Sequence, residues 1–142
     1  PDLAGVVAMA PALYVTDWRF PFLPLIRRVV RTVKPVAGLI ADPRVPGEPA
    51  YGATPTRALA ELAAFQRHLA EELSLVRCPA LFAHGARDPL VDPGNSRFGC
   101  ARVSSTRKRV LVLPRSSHVV TMDLDRERLF REVAGFARSA AA

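Results

Sequence analysis

Apolar positions along this chain fall into three regimes. Residues 3 to 12, Leu3-Ala4-Gly5-Val6-Val7-Ala8-Met9-Ala10-Pro11-Ala12, form a continuous run of small apolar side chains closed by Pro11. That length and composition predict a strand buried on both faces, as in a parallel sheet. Residues 13 to 73 behave differently: Trp18, Phe20, Phe22, Leu25, Ile26, Val29 and Val30 are interrupted by Pro21 and Pro24. A Pro- and Gly-rich loop from Asp42 to Gly52 follows. Thr54-Pro55 then predicts a helix N-cap with proline in the first turn, and Leu59, Leu62, Phe65, Leu69 and Leu73 form one apolar face at spacings of three and four. This stretch is expected to be a helical excursion from a sheet.

From residue 74 onward strand and helix patterns alternate. Ala80 to Gly85 predicts a buried strand introduced by Pro79. Asp92-Pro93 predicts a helix start, Asp92 as N-cap and Pro93 at the first helical position, running to about Val103. Arg109 to Leu113 predicts the next strand, stopped by Pro114. The last helix is expected from about Asp125, with Leu129, Phe130, Val133, Phe136 and Ala137 as its buried stripe. Short connections between these elements imply crossovers and a parallel sheet. The predicted architecture is α/β, with residues 1–12 and 74–142 in the core and residues 13–73 as an insert.

In such sheets the functional residues gather beyond the carboxyl ends of the strands. Gly85-Ala86-Arg87-Asp88-Pro89 and Arg115-Ser116-Ser117-His118 both occupy that place. If their strands are neighbours, the two loops begin roughly 5 Å apart, so Asp88 and His118 can meet. A carboxylate bonded to one imidazole nitrogen fixes the tautomer and leaves the other nitrogen free as a base.

These loops carry a resemblance. The strand before His84-Gly85-Ala86-Arg87-Asp88, the Ser117-His118 turn and the terminal helix with Gly135-Phe136 resemble the C-terminal part of an α/β-hydrolase. Ser117-His118-Val119-Val120-Thr121-Met122-Asp123, with Tyr51-Gly52-Ala53-Thr54-Pro55, resembles the carboxylesterase and monoacylglycerol-lipase-like branch. Pro1 to Pro11 resembles the strand after the nucleophile-bearing helix, and the likeness is weak only between about Phe20 and Glu48.

The resemblance implies the C-terminal half of that parallel sheet with an inserted helical cap, and a chain order of nucleophile, acid, histidine. Asp88 and His118 match the second and third. The family's Gly-x-Ser-x-Gly turn is absent from the sequence, so the nucleophile is expected on residues before Pro1. The chain alone is then expected to be inactive, and to need the missing N-terminal half of the same protein as its partner. The implied activity is hydrolysis of short or medium acyl esters, or of monoacylglycerols, with Trp18, Phe22, Leu25 and Ile26 either as acyl-contacting residues of the cap or as packing of the insert onto the core. Peptide, epoxide or C–C bond hydrolysis on the same fold, and a non-catalytic binding module, stand as alternatives.

The remaining chemistry-bearing residues have simpler readings. Asp92 is accounted for by capping, His84 by a hydrogen-bonded place in the core, and His68 by a solvated helix face. Asp123 and Asp125 are expected to cap the last helix, or else to orient the histidine loop. Arg87 reads as a surface residue, and Cys100, inside a helix, as no nucleophile. Glu71 and Glu72 belong to a solvated face.

The 142 residues, 49% hydrophobic and 23% charged, suit one ordinary globular domain. No apolar run approaches the roughly 20 residues of a spanning helix, so no membrane insertion is expected. The net charge of +7 comes from basic residues scattered along the chain, only Lys34 and Lys108 being lysines. With no aromatic-interleaved basic stretch, nucleic acid is not expected as a partner. No metal-ligand spacing or Gly-rich phosphate loop appears, so neither metal nor organic cofactor is expected. Cys78 and Cys100 read as buried free thiols, consistent with a reducing, cytoplasmic location.

Overall fold

The computed structural model describes residues 3–46 and 52–141. Tyr51, in the motif read above, lies outside them. The core is a three-stranded parallel sheet in the order β1 (Val6–Met9), β4 (Ala80–Gly85), β5 (Lys108–Leu113). Val6 pairs with Ala80, and Ala80 in turn with Lys108, so the carboxyl ends of β4 and β5 finish side by side.

Strand β4 is central and buried throughout, as its unbroken apolar run requires. Its side chains alternate between two cores. Leu81 and Ala83 pack with Leu111, Leu113, Val120 and Leu129 on the side of helix α4 (Arg126–Ala141). Ala80 and Phe82 pack with Leu13, Leu73 and Val103 on the side of helix α3 (Gly94–Arg102). His84 shares the parity of Phe82 and so faces α3.

Leu129 has no exposed surface. We expect Leu129→Ala to destabilise the protein by about 2–5 kcal/mol, read by urea unfolding, because a full cavity replaces it. A loss under about 1 kcal/mol would mean the α4 interface collapses around the gap.

Strand β1 is shorter and less buried than the run 3–12 suggests. It holds four residues, half-buried except for Met9, which is 38% exposed. The reason is that only β4 pairs with it among the described residues.

The insert carries a 3₁₀ turn (Phe20–Phe22), a short helix α1 (Leu23–Ile26), strands β2 (Thr32–Val33) and β3 (Thr54–Pro55), and helix α2 (Thr56–Glu72). It is therefore not wholly helical. Thr54 and Pro55 pair antiparallel with β2 instead of capping the helix. Pro55 stands at the N-cap with no side-chain bond, while the Thr56 hydroxyl donates to the Val30 carbonyl at 2.5 Å.

Nor is the buried face of α2 its most apolar one. Leu62 and Phe65 are 39% and 57% exposed, whereas Gln66 is buried and its amide donates to the Ala12 carbonyl at 2.8 Å. The side turned inward runs Leu59, Ala63, Gln66, Ala70, Leu73, a helical stripe of small and polar members as well as large ones. In α4 the stripe is Leu129, Val133, Phe136 and Ala140, with Phe130 half-exposed and Ala137 exposed.

Helix α3 begins at Gly94 beneath an Asx turn, the Gly94 N–H donating to the Asp92 carboxylate at 2.6 Å. Buried Asn95 accepts the Leu13 and Tyr14 N–H groups at 2.7 Å each, which seats the start of the insert on this helix. Cys78 and Cys100 are free and half-buried rather than buried. No described helix is long and apolar enough to cross a membrane.

Candidate active site

Two loops meet at the carboxyl ends of β4 and β5, and Gly85 is what lets them. A Cβ on Gly85 would lie 1.9 Å from the Ser117 carbonyl oxygen and 2.5 Å from that of Ser116. Only glycine allows this approach. Across it the Ala86 N–H donates to the Leu113 carbonyl and the Arg87 N–H to the Ser116 carbonyl. The loop after β4 is thereby tied to the loop after β5.

The consequence is that Asp88 and His118 touch. Asp88 Oδ2 accepts from His118 Nδ1 at 2.7 Å. The acid's side chain has no exposed surface, while that of His118 is 24% exposed. Asp88 Oδ1 accepts the Leu90 and Val91 N–H groups at 2.8 and 2.9 Å. Burial pushes the Asp88 carboxyl up, but the Val91 N–H, His118 and the Leu90 N–H outweigh it and hold the group below its ordinary value. Because Asp88 is an acceptor, His118 carries its proton on Nδ1, leaving the Nε2 lone pair for chemistry.

His118 borders a cavity of about 340 Å³ that it shares with Met9, Ala10, Leu39, Leu90 and Val119. Among the described residues Nε2 has no hydrogen-bond partner, so that nitrogen is left free. Ala10 is in the left-handed region at φ 45°, held by its N–H donating to the Ala83 carbonyl at 2.8 Å. A strained alanine of this kind costs about 1–2 kcal/mol and leaves no mark in the sequence. Trp18, Phe22 and Leu25 are 76%, 53% and 63% exposed. Neither they nor half-buried Ile26 lines this cavity.

The histidine loop is held by residues whose sequence reading favoured capping. Asp123, fully buried, accepts the Ser117 N–H at 2.6 Å and the Ala41 N–H at 3.0 Å on one oxygen. Asp125 accepts from the Arg115 N–H at 2.8 Å and its Nε at 2.9 Å. Burial raises the Asp125 carboxyl, and Arg115 more than offsets this, so it too lies below its ordinary value. Both aspartates therefore orient the loop that carries His118.

The insert contributes as well. The Ser117 hydroxyl donates to the Gly38 carbonyl at 2.5 Å, and the Val119 N–H to the Leu39 carbonyl at 2.9 Å. Asp42, its side chain wholly buried, joins Arg44 and Arg126 at 2.9 and 3.0 Å. Those guanidinium groups, Arg44 foremost, hold its carboxyl well below the usual range. Nothing in the spacing of residues 38–44 signals this docking.

We expect Asp123→Asn to lower turnover of the intact protein about 10-fold with a smaller effect on KM, because Oδ1 accepts the Leu124 N–H at 2.7 Å and an amide must turn its –NH₂ toward that N–H, or else toward those of Ser117 and Ala41. Steady-state kinetics on the folded variant checks it; unchanged turnover would show that the loop holds its place without Asp123.

His84 lies where the sequence places it, buried and hydrogen-bonded. His68 is exposed, 3.4 Å from Glu72. Cys100 sits inside α3, and Arg87 is exposed. Among the described residues no three His, Cys, Asp or Glu side chains are placed to hold a metal ion.

A family model described as serine aminopeptidase, S33, matches residues 1–125. The chain belongs to that family. A metagenome-derived lipolytic enzyme of the LipS and LipT pair superposes with this α/β-hydrolase chain at a TM-score of 0.88 and 28% identity, covering 96% of this chain and 56% of its own. A thermostable monoacylglycerol lipase from Bacillus sp. (strain H-257) is 36% identical over 94 residues, which is 66% of this chain and 38% of that lipase. The monoacylglycerol lipase of Paleococcus ferrophilus shares the fold, with a TM-score of 0.71 at 17% identity over 97% of this chain and 60% of its own. The chain thus spans between about two fifths and three fifths of the length of these relatives. It is a part of the α/β-hydrolase fold, with the parallel sheet and flanking helices that the sequence predicts.

Proposed function

We propose that this chain supplies the acid and the base of a serine ester hydrolase, with Asp88 as the acid and His118 as the base. The observation that carries it is the 2.7 Å bond from His118 Nδ1 to a buried carboxylate, with Nε2 left toward an apolar cavity. In this reading a serine outside the present sequence attacks the ester carbonyl. Nε2 of His118 takes the serine proton and returns it to the leaving alcohol, while Asp88 stabilises the imidazolium.

Esters of short or medium acyl chains, monoacylglycerols among them, are the substrate class. That choice is supported by the lipase relatives and by the apolar side chains of Met9, Leu39, Leu90 and Val119 around His118. Acyl contact is assigned to these four rather than to Trp18, Phe22, Leu25 and Ile26, none of which lines the cavity. Residues 13–73 act as the cap, fixed to the histidine loop through Gly38 to Asp42.

The test is an assay of the intact protein on a chromogenic butyrate ester, a monoacylglycerol and an aminoacyl anilide, with labelling by a serine-directed fluorophosphonate. Ester turnover accompanied by labelling of one serine supports the proposal. Faster turnover of the anilide would move the assignment to a peptidase, as the family's description allows. A folded protein that neither turns over nor labels would end it.

A further inference from the structure

His84 is buried, and the proposed mechanism does not use it. Its ring nevertheless makes three polar contacts. Nε2 lies 3.1 Å from Asp88 Oδ2 and 3.2 Å from the Val91 carbonyl, and Nδ1 lies 2.8 Å from the Ser96 hydroxyl. Since a carboxylate and a carbonyl can only accept, Nε2 carries the proton and Nδ1 accepts from Ser96. One imidazole satisfies all three partners.

Asp88 Oδ2 therefore receives two imidazole N–H groups, from His118 at 2.7 Å and from His84 at 3.1 Å. With Leu90 and Val91 on Oδ1, all four lone-pair sites of the carboxylate are filled. Without His84 the carboxylate keeps a free lone pair on the oxygen that holds His118, and His118 is the one group left to direct that oxygen. Ser96 in α3 fixes the His84 ring in turn, so a chain of contacts runs from helix α3 to the cavity.

We propose that His84 is a positioning residue, which aims Asp88 at His118 and shares the charge that the carboxylate offers to the imidazole. This rests on the reading of Asp88 and His118 given above. The titratable groups in contact with Asp88 are His84 from β4 and His118 from the opposite loop.

Two substitutions separate positioning from packing. In His84→Gln the amide nitrogen replaces Nε2 and can donate to both Asp88 and the Val91 carbonyl. In His84→Asn the shorter amide replaces Nδ1, keeps Ser96 and loses Asp88. Both disturb the core. Only His84→Asn returns the carboxylate's full charge to His118, so the acid limb of its pH–rate profile should move to higher pH, by about 0.5–1 unit. Its kcat should fall about tenfold with KM little changed, while His84→Gln keeps the acid limb in place.

The second readout is ¹⁵N NMR of the His118 ring in the intact protein, which needs no turnover. Its titration should move in His84→Asn and not in His84→Gln. If the two variants agree in both readouts, His84 only packs and the proposal is overturned. Should His118→Ala leave ester hydrolysis intact, the catalytic reading fails, and the NMR comparison still decides whether His84 acts on His118 through Asp88.

Discussion

On the proposed function, replacing His118 with alanine should lower ester turnover of the intact protein by about four to six orders of magnitude while it stays folded. The two halves of that expectation come from different features. The side chain is 24% exposed and has one protein hydrogen bond, to Asp88. Asp88 keeps three other donors in the variant, from Leu90, Val91 and His84. The carboxylate is thus not stranded, and the stability loss should stay near 1 kcal/mol.

The chemistry has no such reserve. No other imidazole borders the cavity: His84 is sealed in the core, and His68 lies exposed on α2. Urea unfolding and kcat/KM measured on one preparation check both halves. Turnover within tenfold of wild type would remove His118 from the mechanism.

What the sequence reveals of this site follows the reach of each signal. A strand buried on both faces needs an unbroken apolar run, so Ala80 to Gly85 is legible; the Arg109 to Leu113 strand is legible from its apolar residues and its closing Pro114, though one of its faces is exposed. Parallel neighbours then bring Asp88 and His118 together without further information. Beyond that point the determinants are tertiary. Asp123 precedes a helix, where capping is the ordinary expectation, yet its oxygens meet the Ser117 and Ala41 N–H groups, the second of them 82 positions away. Gln66 is buried because one carbonyl, that of Ala12, needs a donor. Phe65, Leu62 and Phe130 count as core residues by hydropathy, but they stand off the inward stripes of α2 and α4 and turn outward. The register of β1 is set by β4, while the strained turn at Ala10 arises where the chain leaves the sheet.

The Asp88→Asn substitution is expected to be the most damaging isosteric change in the molecule, since it acts on activity and stability together. The amide oxygen can take over the Leu90 and Val91 N–H groups. Its –NH₂ then faces Nε2–H of His84 and Nδ1–H of His118, donor against donor. To relieve the clash with His118, that ring must move its proton to Nε2, which removes the lone pair proposed to accept the serine proton; turnover of the intact protein should fall about 10⁴-fold. To relieve the clash with His84, that ring must move its proton to Nδ1, which strands the Val91 carbonyl and turns the Ser96 hydroxyl around. Together these buried mismatches should cost about 2–4 kcal/mol at neutral pH.

The pH dependence has a definite sign. The Asp88 carboxyl lies below its ordinary value in the folded protein, so the stability it confers is complete above about pH 4, the range of an unfolded aspartate. That contribution fades as the pH falls through the lower folded-state value. The stability gap between wild type and Asp88→Asn should therefore narrow as the pH falls below about 4. Urea unfolding of both proteins across that range measures it. A gap that widens below about pH 4 would mean that Asp88 enters the fold protonated, and that the acid assigned to His118 is not an ionised partner.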